Sequence, residues 1–154
     1  MADSANTSNN SPYGQYNFEV VIDGESVAGF SEVSGIAMQL ETVSYQEGGV
    51  DEYVHQLPDQ FAHANLVLQR GLTDDVTFWE WIQDVMSGNV TRKNVTVKVQ
   101  ESHMGPNTWG WQFLGAYPTT WRGPDLIGGR QGGVAIETIE LAYKKFNKLS
   151  GAPK

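Results

Sequence analysis

Acid–base, nucleophilic or metal chemistry needs histidines, cysteines or paired carboxylates gathered in one place, and this chain offers few. It has no cysteine, which removes thiolate nucleophiles, thiolate zinc sites and disulfide frameworks together. The three histidines, His55, His63 and His103, have no His-x-x-x-His spacing, so nothing points to a metal centre. Serine and threonine are plentiful, yet no Gly-x-Ser-x-Gly elbow presents one as a nucleophile. Asp51-Glu52 and Asp74-Asp75 are adjacent carboxylates, and neighbours in sequence do not face each other across a cleft as a glycosidase pair must. The glycine-rich stretch WRGPDLIGGRQGG (residues 121–133) lacks a closing Gly-Lys-Ser/Thr and precedes no helix, so it is not a phosphate cradle. No catalytic residue, cofactor or metal is expected.

Binding chemistry is the other possibility, because indole rings stack on sugars and bases. Trp79 and Trp81 lie in a helical pattern, where large residues serve to cover a sheet. Trp109 and Trp111 lie on a strand and could form a stacking platform, as in a β-sandwich carbohydrate-binding module. That alternative requires solvent-facing rings and a stable monomer. A net charge of −8 argues against a basic nucleic-acid groove.

The elements that would position such residues read mostly as strands. The chain has 154 residues, enough for one domain, with 17 glycines and five tryptophans, a composition that suits strands and turns. Tyr16, Phe18, Val20 and Ile22 alternate with polar residues, and Asp23-Gly24 then marks a hairpin. A second extended stretch runs from Ile36 to Tyr45. Its apolar phase flips near Leu40, which predicts a bulge or a change of sheet. Gln46–Gln60, with Gly48-Gly49 and Pro58, reads as a long connection of the kind usually kept for function or for a partner. Ala64–Arg70 is a strand that His63 introduces. A helix over Asp74–Met86 presents Phe78, Trp81, Ile82 and Val85 on one face, with Thr73 or Asp74 as cap and Ser87-Gly88 as stop. Val95, Val97 and Val99 then oppose Trp109, Trp111 and Phe113 as a cross-strand core pair, and Val134–Phe146 is a last long strand. The fold class is therefore mainly β (α+β): an antiparallel β-sandwich or partly closed barrel of about seven strands with one flanking helix.

Residues 1–14, rich in Ser and Asn, are expected to be a flexible arm, 15–148 the folded domain and 149–154 a basic-ended tail. The first residues lack the basic and apolar regions of a secretory signal, so synthesis in the cytoplasm without a signal peptide is expected. No apolar run is long enough to span a bilayer, so no stable membrane insertion is expected. Charge divides unevenly. Residues 1–69 carry ten acids and no Lys or Arg, whereas residues 70–154 carry all ten basic residues against eight acids. The split is either a bland feature of composition or a device for head-to-tail contact between copies.

An ordered set of segments resembles the tail tube proteins of contractile phages and related contractile injection systems. It begins with Phe18–Gly24 and Val27–Gly35. It continues through Tyr45–Gly49, His55–Pro58, Leu68–Thr73 and Phe78–Trp81, then Ala116–Trp121 with Gly123-Pro124, and closes with Val134–Leu141. The resemblance implies a structural subunit of an inner tube: hexameric rings stack inside a contractile sheath, and strands of six copies complete one ring-wide barrel around a channel that conducts DNA or protein effectors. Implied partners are further copies of the chain, the tail sheath protein, baseplate and tail-terminator proteins, and the cargo. The implied residence is a virion tail or injection-system particle. Expected subunit and ring contacts are Glu47, Gly48, Gly49, Asp51, Glu52, His55, Leu57 and Pro58 in the long connection, with Arg122 and Arg130 in the glycine-rich segment. The acid-only first half also implies a negative character for the channel wall, a stacking face, or both.

Overall fold

In a computed structural model the described residues are 18–27, 29–45, 48–49, 55–99, 109–129 and 132–149. They form ten strands and one helix: β1 (Phe18–Ile22), β2 (Glu25–Val27), β3 (Phe30–Ser34), β4 (Met38–Tyr45), β5 (His55–His63), β6 (Leu66–Gly71), α1 (Thr77–Met86), β7 (Lys93–Val99), β8 (Trp109–Arg122), β9 (Ile136–Ala142) and β10 (Lys145–Leu149). The main sheet has the order β2-β1-β7-β8-β9-β6-β3, with β10 also on β8, and every pairing in it is antiparallel. Its two ends, β2 and β3, do not pair with each other, so the barrel stays open in the single chain.

Asp23 and Gly24 turn β1 into β2 with φ of 49° and 86°, the left-handed pair that a two-residue hairpin requires. The valine and aromatic ladders meet as their alternation predicts: Val95 opposite Phe113, Val97 opposite Trp111 and Val99 opposite Trp109. Val20, Ile22, Val95, Val97 and Phe113 from one half of the sheet share a single cluster with Leu66, Leu68, Ile139 and Leu141 from the other. The sheet therefore folds over on itself, and α1 closes the gap with buried Phe78, Trp81 and Ile82. Burial of these side chains, at roughly 1.5–3 kcal/mol each, is the main force holding the two halves together.

Three expected boundaries change. The helix starts at Thr77, not Asp74: Val76 is the N-cap residue and makes no side-chain cap bond, so neither Thr73 nor Asp74 caps it, and the Asp75 carboxylate just before it accepts the Thr77 amide at 3.0 Å. The final strand is two strands, since Gly115 (φ 64°) kinks β8 opposite Lys144, and Tyr143 turns into the core against Phe113 and Phe146. Both pieces still run along β8, Thr138 to Ala142 on Arg122 to Tyr117 and Lys145 to Leu149 on Leu114 to Gly110.

The largest correction concerns the long connection. Residues 55–60 are not loop but the first part of β5, which pairs with β4 from Tyr45/His55 to Met38/His63, and His63 ends that strand rather than opening the next. The β4–β5 arm prolongs the β3–β6 hairpin: Ser34 pairs with Val67, Ala64 donates its amide to the Ala37 carbonyl, and Met38 then pairs with His63. At the junction Gly35 has φ 81°, and a Cβ there would lie 2.1 Å from the Asn65 carbonyl oxygen. The expected phase change near Leu40 is real, a register shift between Leu40 and Thr42.

Candidate assembly interface

Nothing among the described residues gathers into a reactive site. No group of three or more His, Asp or Glu could hold a metal there. The main polar cluster has a structural explanation. Arg70, only 2% exposed, donates through Nε to Glu137, whose other oxygen accepts the Trp121 indole N–H at 3.0 Å. Arg70 Nη2 donates to the Asp75 carbonyl at 3.3 Å, and Nη1 lies 3.6 Å from the Asp75 carboxylate. The rings of Phe30 and Phe78 flank the guanidinium at 5.8 and 5.4 Å. The cluster therefore ties β6, β9, β8 and the start of α1 together. Hydrogen bonds from the Thr77 amide and side chain, aided by the Arg70 charge, hold the Asp75 carboxyl below its usual range.

The tryptophans are committed as well. Trp81 is buried and donates to the Thr91 carbonyl at 2.8 Å, while Trp79 sits edge-on to Trp121 with centroids 4.9 Å apart. Trp109 and Trp111 pack edge-on to each other at 4.6 Å, Lys148 covers Trp109, and Trp111 joins the core. A sugar platform needs open indole faces, so the carbohydrate-binding alternative is not supported.

What the fold leaves unsatisfied is surface. Along the β4–β5 arm six large apolar side chains stand exposed: Met38, Leu40, Val43, Tyr45, Leu57 and Phe61, the last at 74%. Register sorts them into two patches. Leu40 is opposite Phe61 and next to Met38, whereas Val43 is opposite Leu57 and next to Tyr45; these two sets point to opposite sides of the ribbon. A two-stranded ribbon with apolar residues on both sides has no reason to be stable in water by itself.

Strand edges are the second unsatisfied surface. No described strand pairs the outer edge of β3, or the edge of Tyr117–Arg122 that faces away from β9. Between those edges lie four strands, β3-β6-β9-β8, whose inner face is Leu66, Leu68, Arg70, Glu137, Ile139 and Leu141. Their outer face alternates to Glu32, Ser34, Val67, Gln69, Thr138, Glu140, Thr120 and Arg122, a largely polar surface that no described element covers.

The expected contact residues divide accordingly. His55, Leu57 and Pro58 are brought together on β5 opposite Tyr45, Val43 and Thr42, and Gly48-Gly49 form a turn beyond β4, with φ 117° at Gly49. Arg122 is apart from them, ending β8 opposite Thr138. Glu47, Asp51, Glu52, Arg130, His103 and the expected arm at 1–14 lie outside the described residues. The sequence reading missed Met38, Leu40, Phe61 and the β3 edge. Met38 and Leu40 share one face of the extended stretch, and alternation alone does not say whether a partner for that face lies in the same chain.

Comparison with known proteins agrees on one architecture. Residues 14–147 match the family described as T4-like virus tail tube protein gp19. The fold superposes on a chain of the PVC sheath–tube complex of an extracellular contractile injection system in the extended state, with TM-score 0.81 and 20% identity over 97% of this chain and 99% of that one. A chain from the tube-terminating cap of the anti-feeding prophage gives TM-score 0.81 and 22% identity over the same shares, 97% and 99%. Hcp1 from Flavobacterium johnsoniae gives 0.60 and 18% over 87% and 95%. No curated protein sequence matches the chain. At these identities the superpositions establish the fold.

Proposed function

Because the chain belongs to the T4-like virus tail tube protein gp19 family, a family of structural tube proteins, we propose that it closes hexameric rings by pairing the β3 edge of one copy with the β8 edge of the next. The observation that carries this reading is the pair of edges on one four-stranded sheet that no described strand pairs. Successive pairings are antiparallel, so β3 and β8 run in opposite directions, and head-to-tail addition continues the antiparallel pattern without a break. Closure removes the edges, which an isolated domain would otherwise have to protect. Six copies supply more strands than the roughly 16–18 at which barrels already enclose an aqueous channel.

In this arrangement the polar outer face of the four strands lines the channel. Glu32 and Glu140 are offset there by Arg122 and by Arg92, whose guanidinium lies over Tyr117 at 4.8 Å. The wall is close to charge balance, less acidic than the ten carboxylates of the first half suggest. A polar wall without a basic stripe lets a polyanion or a protein effector pass without being held. The β4–β5 arm, with His55, Leu57 and Pro58, packs on neighbouring copies and buries its two apolar patches. In the same reading the remaining expected contacts, Glu47, Gly48, Gly49, Asp51, Glu52 and Arg130, engage neighbouring rings. The subunit is structural and not an enzyme. Its further partners are a sheath, a baseplate and a terminator, all three of which the matched particles contain. Among the described residues no helix is long and apolar enough to cross a membrane.

Negative-stain electron microscopy with light scattering on the purified chain tests this. Hollow rings or tubes with six-fold end views are expected. A chain that stays monomeric at high concentration, even with its particle's baseplate present to nucleate it, overturns the reading.

A further inference from the structure

The geometry points to an inter-subunit ion pair, Arg122 of one copy with Glu32 of the next, that selects the head-to-tail joining of the ring; this rests on the ring reading above. The argument follows one row across the outer face of the four-stranded sheet. Glu32 pairs with Gln69, Gln69 with Thr138, and Thr138 with Arg122. The row thus begins with a carboxylate on the free β3 edge and ends with a guanidinium on the free β8 edge. Both side chains are exposed, and neither has an ion-pair partner among the described residues.

The adjoining row has no such polarity: Ser34 pairs with Val67, Val67 with Glu140, and Glu140 with Thr120, so its two edge residues are neutral hydroxyls. Head-to-tail closure therefore brings opposite charges together once per joint. Strand tilt in a closed barrel staggers the joint. A slip of one residue pair is about 6.8 Å at roughly 3.4 Å per residue, a distance the long arginine side chain can follow. A slip of a single residue instead turns Arg122 to the other face, away from Glu32. The reverse joining, β3 to β3 or β8 to β8, would set like charges against each other. The pair thus favours the one joining that repeats around a ring.

The test uses the full chain in four forms: wild type, Glu32→Arg, Arg122→Glu and the double exchange. Circular dichroism first establishes that each is folded, as expected for exposed positions. The concentration at which rings appear is then followed by light scattering and electron microscopy. Each single reversal puts two like charges at every joint and is expected to raise that concentration about tenfold or more, and the double exchange to return it to within about threefold. If the single variants assemble like wild type, or the double exchange fails to rescue them, the ion pair is refuted while the ring reading stands. If wild type itself forms no rings under nucleating conditions, the ring reading falls and the pair falls with it.

Discussion

Replacing Arg70 with methionine isolates the energetics of the one fully buried charge in the described core. The Arg70 side chain is 2% exposed and that of Glu137 8%, so the substitution leaves a carboxylate in a nearly dry site with only the Trp121 N–H as partner. Breaking a buried pair from one side costs about 3–5 kcal/mol, because the remaining ion keeps its desolvation penalty and loses its counter-charge. The variant also loses the tie from Arg70 to the Asp75 carbonyl, which anchors the approach to α1. With a urea dependence of roughly 2 kcal/mol per molar for a domain of this size, a loss of about 4 kcal/mol lowers the unfolding midpoint by about 2 M. The companion variant Arg70→Met/Glu137→Leu removes both charges and keeps apolar volume between Phe30 and Phe78, so it should recover most of the loss. Urea unfolding followed by tryptophan fluorescence reads both, with the single Glu137→Leu completing the cycle. A midpoint shift under about 0.5 M for Arg70→Met, or a double variant as unstable as the two singles combined, refutes the reasoning.

Three further perturbations address the arm and the helix start. Gly35→Ala places a Cβ 2.1 Å from the Asn65 carbonyl oxygen at φ 81°; hydrogen exchange should show the β4–β5 junction opening, whereas Gly24→Ala, with φ 86° but open space around it, should cost only about 1 kcal/mol in thermal unfolding. Asp75→Asn should be less stable than wild type near neutrality. Its carboxyl is depressed in the folded state, so the difference persists above the ordinary carboxylate range and disappears as pH falls through the lowered folded value, a trend that pH-dependent melts can follow. Leu40→Ser/Phe61→Ser should leave monomer stability within about 0.5 kcal/mol, since both side chains are exposed, yet abolish ring formation in light scattering; a variant that assembles normally would remove the arm from the interface.

Much of the core was legible because its signals are local. The alternation of Val95, Val97 and Val99 against Trp109, Trp111 and Phe113 required only the two-residue period of a strand, and Asp23-Gly24 only the backbone freedom of a tight turn. The phase flip at Leu40 likewise announced the bulge that now separates two apolar patches. Strand β5 was hidden for a complementary reason. Pro58 and Asp59 disfavour a strand reading, and the exposed residues 56–61 have no buried face to impose alternation. The break between β9 and β10 depends on Gly115 on another strand, and the Arg70–Glu137 pair joins residues 67 apart in sequence.

By itself, then, the sequence determined that this is a mainly β domain, and its ordered motifs pointed to a tube subunit, because burial periodicity and turn chemistry are written residue by residue. Only the tertiary structure decided which strand edges stay unpaired, that β4 and β5 form an arm with apolar residues on both sides, and that Glu32 and Arg122 stand at opposite ends of one row. Those properties depend on the order and register of strands distant in the chain, which pairing across the sheet sets and no local pattern encodes.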